Sequence, residues 1–379
     1  KIRGSWGMLG NNSGVSRYEQ RESYDLTNYA FGQKLNLGAS STNIINYDFS
    51  WEKTKATNLG FDLVFFNKLT AEIDLYERLT MDIIRNSELS TILSSNYSAP
   101  NTNIGELQNR GIEVNLGWKD KIKTVNYNLG LNYSYNNNKL ISWNQRLGLG
   151  VPHLDYPYSF VYTYLSSGIA QSWNDVMNAP YQGNDYFAPG DILYKDVNGD
   201  GQITGDDRVA YRNSPRTFFN SQYSMTMNLN WKRFDLNLLF QALAGSKAFW
   251  IDWFKRVYPN DSRYQYNMIH VDHWSLDNRN STLTRLVIGT GGQNERESTY
   301  WLYKRDFLRL KNLQFGYSIP SRQLERFKIA NLRLFFTGEN IFTLTKWPGV
   351  DPEKDPGTSV RINPYPLTKS YAFGLNVTL

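Results

Sequence analysis

The stretch Tyr371-Ala-Phe-Gly-Leu-Asn-Val-Thr-Leu379 decides the fold class of this 379-residue chain. A β-strand turns successive side chains to opposite faces. One face of this stretch is therefore wholly apolar, with Tyr371, Phe373, Leu375, Val377 and Leu379. The other face carries only small or polar residues, namely Ala372, Gly374, Asn376 and Thr378. This pattern is typical of a transmembrane β-barrel, in which the apolar face meets lipid and the polar face meets the lumen.

The same alternation recurs along the chain. It is clearest at 125–135, where six apolar or aromatic residues alternate with Asn, Gly and Ser. It also appears in six further stretches: 61–65, 71–75, 112–118, 223–240, 313–319 and 332–336. Short polar links, such as 119–123 and 232–233, join neighbouring stretches and predict antiparallel hairpins.

The lengths of the connections alternate as the strands do. Short links lie near 67–69, 119–122, 231–233 and 320–329, and long ones near 9–56, 80–106, 138–219, 245–304 and 343–366. Bacterial outer-membrane barrels have short periplasmic turns and long extracellular loops. The chain is therefore predicted to be all-β, with about ten antiparallel strands. Ten strands can close a barrel, but a chain that opens on a strand pattern at Lys1 and has such large loops favours the C-terminal half of a wider barrel.

Charged residues on the strands occupy the polar faces. They are Asp62, Glu72, Asp74, Glu113, Asp235 and Arg333, with Asn237 beside them. A basic residue on the lipid face near the membrane midplane costs roughly 2–4 kcal/mol, so these side chains are expected to face the lumen. The alternation breaks near Asn312, where the phase of 307–311 does not carry into 313–319. We expect a β-bulge there, or a strand that continues above the membrane.

Composition excludes several classes of protein. Mean hydropathy is −0.54, and no apolar run reaches the length of a transmembrane helix. Aromatic residues make up 15% of the chain, as the aromatic girdles of a barrel or a sugar-binding surface would require. There is no cysteine, which removes disulfides and thiolate chemistry. The net charge of +6 is dispersed, so no nucleic-acid partner is predicted.

No catalytic motif is present, and the chain is predicted not to be an enzyme. It lacks a Gly-x-Ser-x-Gly nucleophile motif, a His-Glu-x-x-His zinc motif and a phosphate-binding glycine loop. His270-Val-Asp-His273 places two imidazoles near a carboxylate, yet without a further ligand the surface of a loop is the better interpretation. No pair of carboxylates stands out as a glycosidase dyad.

Residues 196–207 match the spacing of an EF-hand calcium loop. The predicted ligands are Asp196, Asn198, Asp200, the backbone carbonyl of Gln202, and Asp207. Gly201 permits the sharp turn of such a loop, and Ile203 is expected to pack inward. Position twelve is Asp207 where Glu is usual, which predicts weaker binding. A structural Ca²⁺ in the long 138–219 loop is the prediction; an Asx- and Gly-rich turn without metal is the alternative.

The long loops are rich in aromatic residues: Tyr156, Tyr158, Trp173, Tyr181, Tyr186, Trp250, Trp253 and Trp274. Each can stack on a sugar ring, contact a partner protein, or pack the loops against one another. Packing is the favoured interpretation, because loops of this length need small cores of their own. Trp118 and Trp231 lie beside short turns and are predicted to be girdle residues on the periplasmic side.

Several stretches together resemble the SusC/RagA family of TonB-dependent outer-membrane transporters. The most specific is Pro189-Gly-Asp-Ile-Leu-Tyr-Lys-Asp-Val-Asn-Gly-Asp-Gly-Gln-Ile-Thr-Gly-Asp-Asp-Arg208. Five more occur in the family's order: Thr57-Asn-Leu-Gly-Phe-Asp62, Leu107-Gln-Asn-Arg-Gly-Ile-Glu113, Phe307-Leu-Arg-Leu-Lys-Asn-Leu313, Gly338-Glu-Asn-Ile-Phe342 and Val350-Asp-Pro-Glu353. Each alone is weak, but the ordered set covers almost the whole chain.

The resemblance implies a 22-stranded barrel of the cell outer membrane, with an N-terminal plug and a TonB-binding segment. It also implies a SusD-like surface lipoprotein that covers the barrel mouth, and TonB-driven import of oligosaccharides or, in some members, peptides. Residues 1–379 then form the C-terminal half of the barrel, and the plug and the N-terminal strands are absent from the chain. No leader is evident, so we expect a mature fragment or part of a longer protein.

Two other functions remain open from the sequence. One is an outer-membrane scaffold or adhesin barrel whose loops hold partners without active transport. The other is a soluble, calcium-dependent glycan-binding protein built from β-sandwiches. The latter predicts charged residues on the outward strand faces, which 125–135 and 371–379 lack.

Overall fold

The computed structural model describes most of the chain. The described residues are 1–13, 15–16, 18–87, 97, 99–144, 153–183, 186–215, 218–250, 268–286, 293–354 and 365–378. They form eighteen strands: β1 (Ile2–Asn11), β2 (Tyr24–Phe31), β3 (Lys34–Ser41), β4 (Glu52–Phe65), β5 (Leu69–Asn86), β6 (Asn101–Ile122), β7 (Val125–Trp143), β8 (Phe160–Tyr164), β9 (Ser166–Ile169), β10 (Ile192–Tyr194), β11 (Arg208–Pro215), β12 (Ser221–Trp231), β13 (Phe234–Ala244), β14 (Lys247–Phe249), β15 (Leu302–Lys304), β16 (Phe307–Ser318), β17 (Asn331–Thr345) and β18 (Ser370–Thr378).

Helical structure is confined to short segments in the described part of the chain. Two α-helices lie there, α1 (Trp173–Met177) and α2 (Ser321–Leu324). Single 3₁₀ turns lie at Gly205–Asp207, Met268–Asp272, Thr299–Trp301 and Glu325–Phe327. Among the described residues, no helix is both long and apolar enough to cross a membrane.

Ten strands form one sheet, in the order β1-β4-β5-β6-β7-β12-β13-β16-β17-β18. Each of these strands therefore lies beside the next one along the chain that joins the sheet. The prediction of about ten strands is confirmed. Antiparallel pairing joins β1 to β4, β7 to β12, β12 to β13, β13 to β16, β16 to β17 and β17 to β18. The other strands form four separate two-stranded sheets within the long connections.

The predicted hairpins are confirmed, with one shift in position. The link between β6 and β7 begins four residues later than predicted, because 119–122 still belong to β6. The turns occupy 66–68, 123–124 and 232–233. Lys123 and Lys232 adopt left-handed backbone conformations, with φ of 52° and 55°. Tight hairpins need such residues because their backbone twist then matches that of the strands.

Three strands are longer than the sequence pattern indicated. β5, β6 and β7 contain 18, 22 and 19 residues, whereas a tilted transmembrane strand needs only about 9–11. The connection predicted at 80–106 therefore shortens to 87–100, and the loop predicted to start at 138 starts at 144. Both boundaries were wrong because the polar ends of these strands lose the apolar alternation on which the prediction depended.

The predicted bulge lies in the middle of β16. Its pairing with β17 jumps from Leu310 to Asn312, and its pairing with β13 shifts at the same level. Lys311 is the extra residue on this strand. On the facing strand, Asn340 adopts a left-handed backbone conformation, with a φ of 51°, at the level of this shift in register. The bulge resets the phase, so both halves of β16 keep an apolar face.

The chain divides into two compact units. One consists of Lys1–Leu63, Glu72–Glu113 and Asn136–Tyr158, and it contains the β2–β3 hairpin. The other consists of Val64–Ala71, Val114–Tyr135 and Ser159–Leu379. The second unit contains a buried cluster, formed by Val161, Ile192, Tyr194, Ile203, Phe249 and Trp301.

Candidate functional site: strand faces and loop body

Arg3 joins two carboxylates on the polar face of the first unit. Its Nε donates to Asp62 Oδ1 at 2.9 Å, and its Nη1 and Nη2 donate to the two oxygens of Asp74 at 3.0 Å each. Gly60 makes room for this fork, because a Cβ there would lie 2.7 Å from Arg3 Cζ. Arg3 thus offsets the negative charge of two carboxylates predicted for this face, Asp62 and Asp74, and Lys1 Nζ lies 3.9 Å from Asp62 Oδ2.

The second unit repeats this arrangement around Gly316. Arg333 Nε donates to Asp235 Oδ1 at 2.9 Å, and its Nη2 also donates to Gln314 Oε1 at 3.2 Å. A Cβ on Gly316 would lie 2.6 Å from Arg333 Nε. A glycine thus again makes room for a cross-strand guanidinium. Asp235 and Arg333 therefore border this face as a pair of opposite charges.

The opposite face of the terminal strands is apolar and uncovered. Phe373 is 86% exposed and Leu375 62% exposed. Phe336 of β17 stacks on Tyr371 and lies against Phe373, with ring centroids 6.2 and 5.1 Å apart. Soluble monomers rarely expose a contiguous apolar surface of this kind, whereas lipid provides it with a matching solvent.

Two long connections share one hydrophobic core. Val161, Ile192 and Ile203 come from the connection between β7 and β12. Phe249 and Trp301 come from the connection between β13 and β16. We call this assembly, which comprises the described residues of 159–215 and 245–306, the loop body. The connection predicted at 138–219 therefore shares its core with the connection between β13 and β16.

Asp191 ties the two halves of the loop body together. Its side chain is 3% exposed and accepts from Arg285 Nε and Nη2 at 2.8 and 2.9 Å. Asn294 Nδ2 donates to it at 2.8 Å, and its amide oxygen accepts from the backbone N–H of Ile192. A buried carboxylate is stable only when paired in this way, so the position of Arg285 fixes the β10 side of the core.

The calcium-type loop is wound by its own carboxylates. Asp196 accepts from the backbone N–H of Gly199 at 2.6 Å and of Gly201 at 2.8 Å. Asn198 Oδ1 accepts from the N–H of Asp200, whose Oδ1 accepts from the N–H of Gln202. Gly199 and Gly201 have φ of 79° and 83°, and this left-handed backbone closes the turn. The structure therefore brings four of the five predicted ligands into one wound segment.

Asp207 closes this loop from the buried side. Its Oδ1 accepts from Val197 N–H at 2.8 Å and its Oδ2 from Thr204 N–H at 2.7 Å. Burial raises the pKa of Asp207, but the backbone N–H donors of Thr204, Val197 and Asn198 outweigh it and hold the pKa below its ordinary value. Ile203 packs into the core of the loop body, as predicted.

The donor set of the loop is all oxygen, as calcium prefers. Asp196, Asp200, Asp206 and Asp207 form no salt bridge with any lysine or arginine in the described part of the chain. However, the carboxylate oxygens of Asp196 and Asp207 already accept backbone N–H groups. Within the described ranges, no three His, Asp or Glu side chains converge closely enough to hold a metal ion.

The histidines and loop aromatics lie in different environments. His270 is 4% exposed, so the prediction of a loop surface was wrong for it. The Nδ1 of His273 lies 2.9 Å from the backbone carbonyl oxygen of His270. Trp250 and Trp274 are buried, as packing predicts. Three aromatic residues of the loop body are instead exposed: Trp173, Tyr181 and Tyr186. Trp253 lies outside the described residues.

Curated proteins align with this chain over its whole length. No protein-family model matches it. The TonB-dependent receptor P3 of Formosa agariphila is 26% identical over 402 residues, and the TonB-dependent receptor SusC of Bacteroides thetaiotaomicron is 25% identical over 398 residues. The alignments cover 100% of this chain but 39% and 37% of those relatives. The chain thus spans about two fifths of the length of the relatives it matches.

Solved structures share the fold. The RagAB peptide importer in its "closed-closed" state superposes with a TM-score of 0.75 at 24% identity, over 99% of this chain and 40% of that one. The structure of the RagAB peptide transporter gives a TM-score of 0.73, also at 24% identity and over the same shares. The chain is thus similar over its whole length to TonB-dependent receptors, SusC among them. It is part of a β-barrel protein of the outer membrane.

Two motifs of this SusC-like chain meet in a buried clamp that sequence reasoning missed. Arg309, from the 307–313 motif, donates to Asp351 Oδ1 at 2.8 Å and to Glu353 Oε2 at 2.6 Å. Arg305 donates to the carbonyl oxygens of Pro352 and Glu353 at 3.0 Å each. Both arginines are 1% exposed. The sequence carried one signal for it, since both motifs belong to the ordered set of stretches that resembles the family.

Proposed function

We propose that this chain forms the C-terminal part of an outer-membrane nutrient importer driven through TonB. One observation carries the proposal: one face of the sheet bears the neutralised Arg3 and Arg333 networks, while the other exposes Phe373 and Leu375. A strand that separates lipid from water needs these two faces. The plug and the TonB-binding segment belong, in this proposal, to parts of the protein outside residues 1–379.

The cargo proposed is an oligosaccharide or a peptide. The chain makes and breaks no bond in this role; it supplies a hydrated path and a binding surface. Support for a sugar comes from Trp173, Tyr181 and Tyr186, whose exposed rings offer stacking surfaces in the loop body. Support for a peptide comes from RagAB, which is described as a peptide importer.

The partner proposed is a SusD-like surface lipoprotein that covers the barrel mouth. The exposed aromatic residues of the loop body also suit this contact, because Tyr and Trp are enriched in protein interfaces. The loop body has the buried core that a rigid docking surface requires. A lid of this kind would close over cargo held by the loops.

Uptake by cells that carry the full-length protein tests the transport proposal. Radiolabelled malto-oligosaccharides and a mixed peptide digest serve as the two cargo arms, each with and without TonB. TonB-dependent accumulation of either cargo is the expected result. Binding of cargo that is unaffected by TonB, with no accumulation, would instead support the scaffold or adhesin function.

We also propose that the 196–207 loop binds Ca²⁺ as a structural clip. Four carboxylates in twelve residues repel one another, and a divalent cation would relieve this repulsion. Calorimetric titration of the full-length protein with CaCl₂ is expected to give a dissociation constant of about 10⁻⁴–10⁻³ M, as for extracellular calcium modules. Asp196→Asn should abolish binding, whereas Asp206→Asn, outside the predicted ligand set, should not. Equal affinity in both variants would contradict the assignment.

A further inference from the structure

The basic surplus of the chain is concentrated at one end of the strands of the ten-stranded sheet, where the short connections lie. Antiparallel order puts the short connections together at this end, and all of them lie in the second unit: 66–68, 123–124, 232–233 and 319–330. We call these residues the basic edge. They contain seven basic residues and one acidic residue, a surplus of six. The five long connections, by contrast, contain 21 basic and 23 acidic residues.

The cations of the basic edge are available to bind a ligand. All seven are exposed: Lys68, Lys123, Lys232, Arg233, Arg322, Arg326 and Lys328. Lys68 pairs with Asp120 at 2.9 Å, and none of the other six forms a salt bridge within the described part of the chain. A surplus of positive charge along one row of connections favours the binding of an anion there.

An apolar groove begins close to this edge. It has a volume of about 430 Å³ and is lined by Phe315, Tyr317, Leu334, Phe335, Phe336, Phe373, Gly374 and Leu375. Tyr317 pairs in register with Phe234 on one side and Leu334 on the other. It lies two residues before Ile319, so the groove starts about 7 Å from the 319–330 connection at the usual rise of a strand.

Aromatic residues fill the level between the groove and the cations. Phe234 lies between Trp231 and Tyr317, with ring centroids 5.9 and 4.8 Å away. Lys232 Nζ lies 5.3 Å from the centre of the Trp231 ring. Trp and Tyr side chains mark the level of the lipid headgroups in membrane proteins. The order from groove through aromatic layer to cations is thus the order of acyl chain, glycerol region and phosphate in a phospholipid.

We infer that the basic edge and the adjoining groove bind an anionic phospholipid of the inner leaflet of the outer membrane. The phosphate contacts cations of the 232–233 and 319–330 connections, and one acyl chain lies in the groove. This rests on the proposed outer-membrane function, because it requires the short connections to face the periplasm. Charge complementarity selects this occupant over a zwitterionic lipid.

Native mass spectrometry of the full-length protein in detergent tests the inference. The probes are phosphatidylglycerol and phosphatidylcholine with identical acyl chains, together with lipopolysaccharide. Phosphatidylglycerol should bind more tightly than phosphatidylcholine and lose affinity as salt rises. Neutralising Lys232, Arg233, Arg326 and Lys328 to Gln should weaken it by roughly tenfold or more, since each cation near an anionic lipid contributes about fivefold.

Two control variants test whether lipid binding depends on the charges of the basic edge itself and on the shape of this groove. Neutralising the exposed residues Arg21, Lys34, Lys346 and Lys369 removes the same charge from long connections and should leave binding unchanged. Leu334→Trp fills the groove and should reduce binding, whereas Leu131→Trp on β7 should not.

Several outcomes would overturn the inference. They are equal binding of the two phospholipids, an equal loss in both charge variants, and preference for lipopolysaccharide, which would place the edge in the outer leaflet. A fourth outcome is that the variant neutralised at the basic edge is defective in cells although its lipid binding is unchanged. That outcome would indicate that the basic edge binds an acidic periplasmic protein. The lipid readout needs neither TonB nor cargo, so failed transport with intact lipid binding would count against the proposed function alone.

Discussion

Arg309 and Asp351 form a buried ion pair across 42 residues of sequence, with Nη2 2.8 Å from Oδ1 and both side chains about 2% exposed. Thr343 Oγ1 accepts from Nε and Glu353 Oε2 from Nη1, so each nitrogen of the guanidinium has a partner. Such a network positions a chain segment more than it stabilises the fold, because the cost of desolvation offsets most of the attraction. Here it holds the 350–353 segment against β16.

Breaking this clamp from one side should be costly. Asp351→Leu leaves the Arg309 charge buried with one partner fewer, and we expect a loss of roughly 3–5 kcal/mol in local stability. Amide hydrogen exchange of 346–354 in the full-length protein measures it. Arg309→Met combined with Asp351→Leu should recover a large part of the loss, because no unpaired buried charge remains; the side chain of Glu353, which also loses Arg309, is 36% exposed. If the double variant exchanges as fast as the single one, the ion pair is not what holds the segment.

The glycine beneath the Arg333–Asp235 pair should not tolerate a side chain. In Gly316→Ala the new Cβ would lie 2.6 Å from Arg333 Nε, so the guanidinium must move. Overpacking of this kind costs roughly 1–3 kcal/mol. Gly4→Ala on β1 is the matched control, since nothing lies within 4 Å of that position. Thermal unfolding of the purified protein should separate the two variants, and equal midpoints would contradict the assigned contact.

Adjacent residues of β7 should respond oppositely to a charge. Leu129 pairs with Met227 and lies on the apolar face, whereas Asn128 pairs with Asn228 and lies on the polar face. Leu129→Arg is expected to cost roughly 2–4 kcal/mol near the membrane midplane and to impair assembly. Asn128→Arg should assemble normally. Heat-modifiable migration on gels reports assembly. Equal tolerance at both positions would contradict the assignment of Leu129 to the lipid-facing side and Asn128 to the polar side.

Acid should loosen the calcium-type loop through Asp207. The pKa of this carboxyl is lowered in the folded state, so its stabilising effect is present above the unfolded value, about 3.9, and disappears as pH falls through the folded one. Exchange of the Val197 and Thr204 amides should therefore be slow at neutral pH and rise only below about pH 4. Asp207→Asn should speed both at neutral pH, whereas Asp206→Asn should change neither. Protection of these amides that persists at pH 2 would contradict this role.

Prediction from the sequence succeeded where local periodicity carries the information. The strands β7, β12 and β18 and the bulge at Lys311 were all expected, because alternation of side chains is a property of a few consecutive residues. It failed at the polar ends of β5 and β6, where the alternation fades although the backbone pairing continues. It also misplaced His270, since burial in a long loop depends on what packs against it.

The sequence by itself determined that this is an all-β chain with one lipid-facing and one polar strand face, and it indicated the family. Only the tertiary structure decided which charges neutralise one another. Arg3 meets Asp74, Asp191 meets Arg285 and Arg309 meets Asp351 across separations of 71, 94 and 42 residues. The reason is physical: strand character follows from neighbours along the chain, whereas the partner of a buried charge is set by how distant segments pack.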